Sequence, residues 1–213
     1  MNHSGGSSRG RSLIIFASMA VAIFATSLAH AQRVAIVAEP NKAAMTSASV
    51  KAEALISKPG SYVLARDIVN GGAGFVGISI TSSNVSLDLQ GFSILCTNAS
   101  TGAGIDAVGE SNVTIRNGNI TGCGGAAIIA GAASSISAIT ATKNGSGITC
   151  GIGCVVGGNV IQGNTGVGMT FSDATSGYIG NVLQGNDGNT VGTSGQVSGG
   201  TSLGQNLCNG VSC

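Results

Sequence analysis

Apolar and polar residues alternate along short stretches of this chain, as in Val85, Leu87 and Leu89 and again in Val113 and Ile115. A period of two gives each stretch one dry and one wet face, which predicts strands rather than helices. The stretches repeat. Ser83-Asn84-Val85-Ser86-Leu87-Asp88 recurs as Ser111-Asn112-Val113-Thr114-Ile115-Arg116, a step of 28 residues, and Asn159-Val160-Ile161-Gln162-Gly163-Asn164 recurs as Asn181-Val182-Leu183-Gln184-Gly185-Asn186, a step of 22. A second mark of each unit is a small residue followed by an aliphatic one: Gly77-Ile78, Gly104-Ile105, Ala127-Ile128, Gly147-Ile148 and Gly166-Val167. Units of this length cannot hold a helix plus its strands, but they hold two or three short strands joined by Gly and Asn turns.

Coils of this kind stack as a β-solenoid in which neighbours bury each other's edges. Roughly six coils at about 4.8 Å per rung make a rod about 30 Å long. Asn144, Asn164 and Asn186 step by 20 and 22 residues. Pointing inward, such asparagines can bond from rung to rung and satisfy turn backbone groups.

The raw edges of a solenoid need covers. The Ala-rich segment 41–57, with Asn41 as N-cap, is expected to form a helix over the first coil, ended by Pro59-Gly60 before a first strand from Tyr62 to Ile68. From Gly188 the repeat is lost, and Cys208 to Cys213 reads as a disulfide-pinned terminal cap. The expected divisions are 1–31 signal peptide, 32–58 N-terminal segment and capping helix, 59–190 solenoid, and 191–213 C-terminal cap.

The signal peptide is read from Arg9 and Arg11, the uncharged apolar run Leu13 to Ala29, and the small-x-small site Ala29-His30-Ala31. The run is at the lower limit for spanning a bilayer and no basic cluster follows it, so no membrane segment is expected after cleavage, and the protein is expected in the periplasm or secreted. Cleavage removes His3 and His30, the only two histidines. Mechanisms that need an imidazole base or a histidine ligand then drop out. Six cysteines remain: Cys96, Cys123, Cys150, Cys154, Cys208 and Cys213. An even count in an exported chain reads as disulfides, with local spacing suggesting 208–213 and 150–154 and leaving 96 with 123, though six thiols allow many pairings.

Composition narrows the function classes. The chain has 213 residues with 36 Gly, 2 Pro and no Trp, and only 9 basic and 8 acidic residues for a net charge of +1. No basic surface is available for nucleic acid. The 20 Ile and 18 Val against 10 Leu suit pleated sheet.

With Pro59-Gly60-Ser61-Tyr62-Val63-Leu64 opening the repeats, the two Ser-Asn-Val coils, and Gly199-Gly200 with Asn206-Leu207-Cys208 closing them, the chain resembles exported bacterial right-handed parallel β-helix proteins of the pectate-lyase-like superfold. The resemblance covers about residues 56–213 and implies an all-β, right-handed parallel β-helix. It implies no single activity, because this superfold carries lyases, hydrolases, epimerases and adhesins.

Candidate chemistry is sparse. Alternation puts Asp88 and Arg116 outward, and the 28-residue step sets them side by side on adjacent rungs. The resemblance to polysaccharide lyases implies an Arg that acts on a sugar carbon's proton beside a carboxylate holding calcium; the plainer reading is a cross-rung salt bridge. Asp106 and Glu110, in the turn region after Gly104-Ile105, could serve as acid and base of a glycoside hydrolase if their carboxyls lie about 5–9.5 Å apart. The paired-Asp and Gly-His-Gly motifs of polygalacturonase-like enzymes and the Asp-Pro-His-Glu stretch of mannuronan epimerases are missing from the sequence. The expectation is therefore a non-catalytic protein that contacts extracellular polysaccharide or a cell surface, with no cofactor. The alternative is a small polysaccharide lyase or glycoside hydrolase, with calcium only for the lyase. A third reading is assembly through the solenoid ends; the sequence carries no signal for oligomeric state.

Overall fold

In a computed structural model, which describes residues 34–36, 45–47, 50–97 and 102–213, the chain forms a parallel β-solenoid of about 7 turns. The leader and its cleavage site lie outside the described residues. Each coil has three faces. The first carries strands such as Val85–Asp88 and Val155–Gly157, the second strands such as Ser93–Cys96 and Val160–Gln162, and the third strands such as Ile105–Ala107 and Ser146–Cys150. The first two faces belong to one 14-stranded sheet, and two long strands, Thr114–Thr121 and Ser135–Thr142, run across both. The third face is a separate 8-stranded sheet.

Register explains the alternation. On the first face Tyr62, Leu87, Ile115, Ile136, Val156 and Tyr178 stack in one inward column. The second face stacks Ile68, Ile94, Ile120, Ala141, Ile161 and Leu183. The third stacks Ala54, Ile78, Ile105, Ile128, Ile148 and Met169. Nearly all of these side chains are fully buried, at about 1.5–3 kcal/mol for each large aliphatic one. The Gly-Ile signature follows from the same packing. A Cβ on Gly104 would meet Ile120 Cγ2 at 2.3 Å, and one on Gly147 would meet Ile161 Cγ2 at 2.6 Å. The glycine column therefore leaves room for the second-face isoleucines. The sequence motif slips at one unit: Ile148 pairs with Met169, so Gly168-Met169 rather than Gly166-Val167 continues the column.

The corner between the first and second faces, and the corner after the second, are each made by a left-handed residue followed by an inward one. Gly158 and Gly180 precede Asn159 and Asn181, while Lys143 and Gly163 precede Asn144 and Asn164. The inward asparagines form two ladders. In one, Asn144 Nδ2 donates to Asn164 Oδ1 at 3.1 Å and Asn164 Nδ2 to Asn186 Oδ1 at 2.8 Å, and Gln196 Oε1 closes the series by accepting from Asn186 Nδ2 at 2.7 Å. In the other, Asn159 Nδ2 donates to Asn181 Oδ1 at 2.9 Å and Asn181 Nδ2 to Asn206 Oδ1 at 3.0 Å. Each amide also donates to a carbonyl of the preceding coil, such as Ala141 O from Asn164 at 3.2 Å and Val156 O from Asn181 at 2.9 Å. The expected inward stack is present, and it is double.

Two expectations are corrected. Over the described part of segment 41–57 the chain is strand, not helix: Met45–Ser47 and Val50–Ile56 form an antiparallel pair, and the second lies parallel on Val76–Ile80. Asn41, the expected N-cap, lies outside the described residues. The reason is alternation: Ala52, Ala54 and Ile56 fall on one buried face in register with Val76, Ile78 and Ile80, which overrides the helix propensity of alanine. Similarly, the first strand breaks into Gly60–Leu64 and Ile68–Asn70 at the coil's corner.

At the other end, parallel pairing continues past residue 190 through Val197–Ser198, Thr201–Ser202 and Leu207–Cys208. The closing element is the short antiparallel return Val211–Ser212, tied back by Cys208–Cys213. The remaining disulfides are Cys96–Cys123, which joins successive coils, and Cys150–Cys154 within one turn. The suggested pairings are therefore those found. Three disulfides fit an oxidising compartment, and no helix among the described residues is long and apolar enough to cross a membrane.

Candidate functional site

Asp88 and Arg116 are brought together as the 28-residue step requires. They are register partners on the outward side of the first face, with Arg116 Nη2 and Nε each 3.1 Å from Asp88 Oδ2. The other carboxylate oxygen is engaged too: Oδ1 accepts from the Gln90 N–H at 2.9 Å and from Asn117 Nδ2 at 3.3 Å. Partial burial on its own would raise the Asp88 pKa. The Gln90 N–H, the Asn117 amide and Arg116 together outweigh it, so the carboxyl lies below its ordinary value. A charged, well-bonded carboxylate beside a committed guanidinium is a structural clamp between two rungs. To act as a base, Arg116 would have to give up both contacts and lose a proton it holds strongly.

Asp106 and Glu110 are not joined to that pair. Asp106 lies within the strand Ile105–Ala107 on the third face, which corrects its expected place in a turn, and its Oδ1 accepts from the Val108 N–H at 2.9 Å. That contact fixes the turn that follows the strand. Glu110 stands in the turn between the third and first faces, and its Oε2 accepts from Ser83 Oγ of the previous coil at 2.8 Å. Ser83 Oγ in turn accepts from the Ser111 N–H at 3.0 Å. The four candidate residues are thus spread over two sheets and a corner, each with its own local partner. Among the described residues no three of His, Cys, Asp and Glu come together as a metal site.

Glu110 does line a shallow groove of about 400 Å³ across the corner between the third and first faces. Val108 and Ile152, exposed at 68% and 60%, stand on either side of it, with Gly131 and Ala132 between and Thr149 on the coil of Ile152. The groove exists because the middle coil has only small residues at its turn while the flanking coils carry branched ones. No motif in the sequence marks it, since the signal is a difference in side-chain size at three register-related turns.

The outward columns make a second kind of surface. On the first face Ser86, Thr114 and Ser135 are register neighbours, and on the second face Asn119 pairs with Thr140 and Thr121 with Thr142. The Thr142 hydroxyl donates to Thr121 Oγ1 at 3.1 Å. These are flat rows of short neutral hydroxyl and amide groups at strand spacing.

Fold and surface together define a disulfide-bonded, charge-poor parallel β-solenoid whose outward rows on the earlier coils are short and polar. Compared with protein-family models, with curated proteins and with solved structures, the chain matches none. Its function is therefore argued from its own geometry.

Proposed function

We propose that the protein is an exported, non-catalytic solenoid of the bacterial periplasm or exterior that contacts polysaccharide or a cell surface through its outward faces. The observation that carries this reading is the set of neutral hydroxyl and amide rows on coils two to four, with the charged candidates each held by structural partners. Rows of short donors and acceptors, rigidly spaced at about 4.8 Å, meet sugar hydroxyls without the entropy cost of ordering long side chains. Cys96–Cys123 and the Asn144 side chain, whose Oδ1 accepts from the Cys123 N–H at 3.0 Å and whose Nδ2 donates to Ile120 O at 3.1 Å, tie these coils together and keep the rows fixed.

The alternative, a lyase or glycoside hydrolase of the pectate-lyase-like superfold, draws on the nearness of Arg116 to Asp88. One experiment separates them. The purified protein is incubated with uronate polysaccharides and calcium, with absorbance at about 235 nm read for unsaturated products, and in parallel titrated on a panel of immobilised glycans. The proposal expects glycan retention without product, and retention lost when Thr121 and Thr142 are both replaced by Val. Product formation that disappears in Arg116→Ala would establish the alternative. No retention on any glycan would sink the proposal.

A further inference from the structure

The outward columns change character along the rod. On the second face the column that reads Ser93, Asn119 and Thr140 on the earlier coils continues as Val160, Val182 and Leu207 on the later ones, all in register. These three are exposed at 37%, 40% and 46%. Across the corner, on the first face, Val155, Ile179 and Leu203 are exposed at 50%, 40% and 56%. Their side chains spread over neighbouring glycines: a Cβ on Gly177 would meet Leu203 Cδ1 at 2.7 Å, and one on Gly157 would meet Ile179 Cγ2 at 3.3 Å. The corner carries Gly158 and Gly180 on two coils and Gly204 with the exposed Gln205 on the third, with nothing standing over Gly158 or Gly204. The result is an aliphatic strip over three successive coils, interrupted on the last by the exposed Gln205 and bordered by the exposed amides Gln162 and Gln184, which are also in register.

We infer that this strip is the contact surface for a second copy of the same chain, forming a two-fold dimer side by side with its axis near Val182. Three observations select that occupant. First, the six side chains expose on the order of 450 Å², which supplies the apolar core of the roughly 800 Å² per partner that a standard interface buries. Second, the strip contains no Asp, Glu, Lys or Arg, so two copies meet without like-charge repulsion. Third, the strip is symmetric about its middle rung. Val182 has Val160 on one side and Leu207 on the other, so a two-fold axis through Val182 sets each flanking residue against its opposite number, as an isologous contact requires. The glutamine column supplies an amide rim. The dimer leaves the polar rows of the earlier coils free, and it does not depend on the polysaccharide reading.

The test is sedimentation velocity of the purified protein from about 1 to 100 μM, a range set by the low-end size of the interface. The wild type is expected to shift from monomer to dimer across it. Val182→Asp places two carboxylates near the axis and is expected to weaken association at least tenfold, while Thr149→Asp on the third face leaves it unchanged. A second variant does not depend on tolerating a charge: Val182→Cys is expected to form an intermolecular disulfide on mild oxidation, and Val69→Cys, which at 58% is more exposed and lies on the second face of the first coil, is not. A wild type that stays monomeric at the highest concentration overturns the inference. So does association that Val182→Asp leaves intact, or cross-linking as efficient at residue 69 as at 182. A monomer that binds an insoluble neutral glycan and loses that binding in Val182→Asp would reassign the strip to sugar and equally overturn it.

Discussion

Asn164 is the sharpest place to test what holds the coils in register. It is 1% exposed, and its side chain makes four hydrogen bonds. Its Oδ1 accepts from the Asn144 N–H at 2.9 Å and from Asn144 Nδ2 at 3.1 Å, and its Nδ2 donates to Ala141 O at 3.2 Å and to Asn186 Oδ1 at 2.8 Å. Asn164→Ala leaves two buried donors of Asn144 without an acceptor, at about 1–3 kcal/mol each, for a loss of about 2–6 kcal/mol. A water entering the vacated volume would bring the loss toward the lower end. The matched control is Asn119→Ala, an exposed residue whose one amide bond, to Gly91 O, is 3.4 Å long; it is expected to stay within about 0.5 kcal/mol of wild type. Urea denaturation followed by far-ultraviolet circular dichroism gives the overall difference. Hydrogen exchange at the Asn144 amide gives the local one, which matters because repeat arrays open coil by coil. If Asn164→Ala matches the control and the Asn144 amide exchanges no faster, the ladder adds nothing net and the reasoning fails.

The near-isosteric change Asn164→Asp adds a pH signature. It sets a carboxylate oxygen against two acceptors, Ala141 O and Asn186 Oδ1, so the folded protein favours the protonated acid, which can donate to one of them. Its folded pKa is then raised above the unfolded value of about 3.9, and the variant should approach wild-type stability below that pH and lose it steadily as pH rises. A variant whose deficit is the same at pH 3.5 and pH 7 would refute this assignment of donors and acceptors.

Asp88 carries the opposite linkage: its folded carboxyl is below the ordinary value, so its contribution is present above about pH 3.9 and is lost as pH falls through the folded pKa. Because Arg116 is 43% exposed, Asp88→Asn should cost no more than about 1 kcal/mol near pH 7 and nothing near pH 2, as read from thermal melts at the two pH values. Gly104→Ala drives a Cβ to 2.3 Å from Ile120 Cγ2 and 2.7 Å from Ala127 O, and should cost about 1–3 kcal/mol, with Ile120→Ala in the same chain recovering only the side-chain part; full additivity in the double-mutant cycle would contradict the packing. Replacing Cys96 and Cys123 by Ser opens a closure of 27 residues and should cost about 3–4 kcal/mol, against about 2 for Cys150 and Cys154, separated by 4; equal losses in urea titrations would argue against chain entropy as the cause.

What was legible in the sequence is what repeats inward. Leu87 and Ile115, or Ile105 and Ile128, must be apolar because each is packed between coils, so the period-two pattern and the steps of 20 to 28 residues survive in the residue types. Asn159 and Asn181 are visible for the same reason, since an inward corner position must supply an acceptor to one rung and a donor to the next. The ladder's ends were hidden because they leave the period. Gln196 arrives ten residues after Asn186, from a loop rather than from the next coil, and reaches the column with a longer side chain. The sequence of the N-terminal strand suits a helix as well, because Ala52 and Ala54 are small enough for either, and the deciding fact, pairing with Val76–Ile80, is tertiary.

Outward positions obey no such constraint, which is why the candidate site could not be read with the same security. Asp88 and Arg116 were found because their step equals the coil length and opposite charges on register neighbours attract. Asp106 and Glu110 were grouped by nearness in sequence, yet in a solenoid four residues can span a corner, and these two face different partners, Val108 and Ser83. The aliphatic strip is hidden in the sequence for a related reason. Val160 and Val182 sit inside the repeat Asn-Val-Ile/Leu-Gln-Gly-Asn, where a β-branched residue is expected simply for strand propensity, and only the register shows that the buried residues are Ile161 and Leu183 while the valines stand outside. In a fold that conceals its core so regularly, an exposed valine at a repeated position is more informative than a buried isoleucine, because burial already explains the isoleucine and something else must explain the valine.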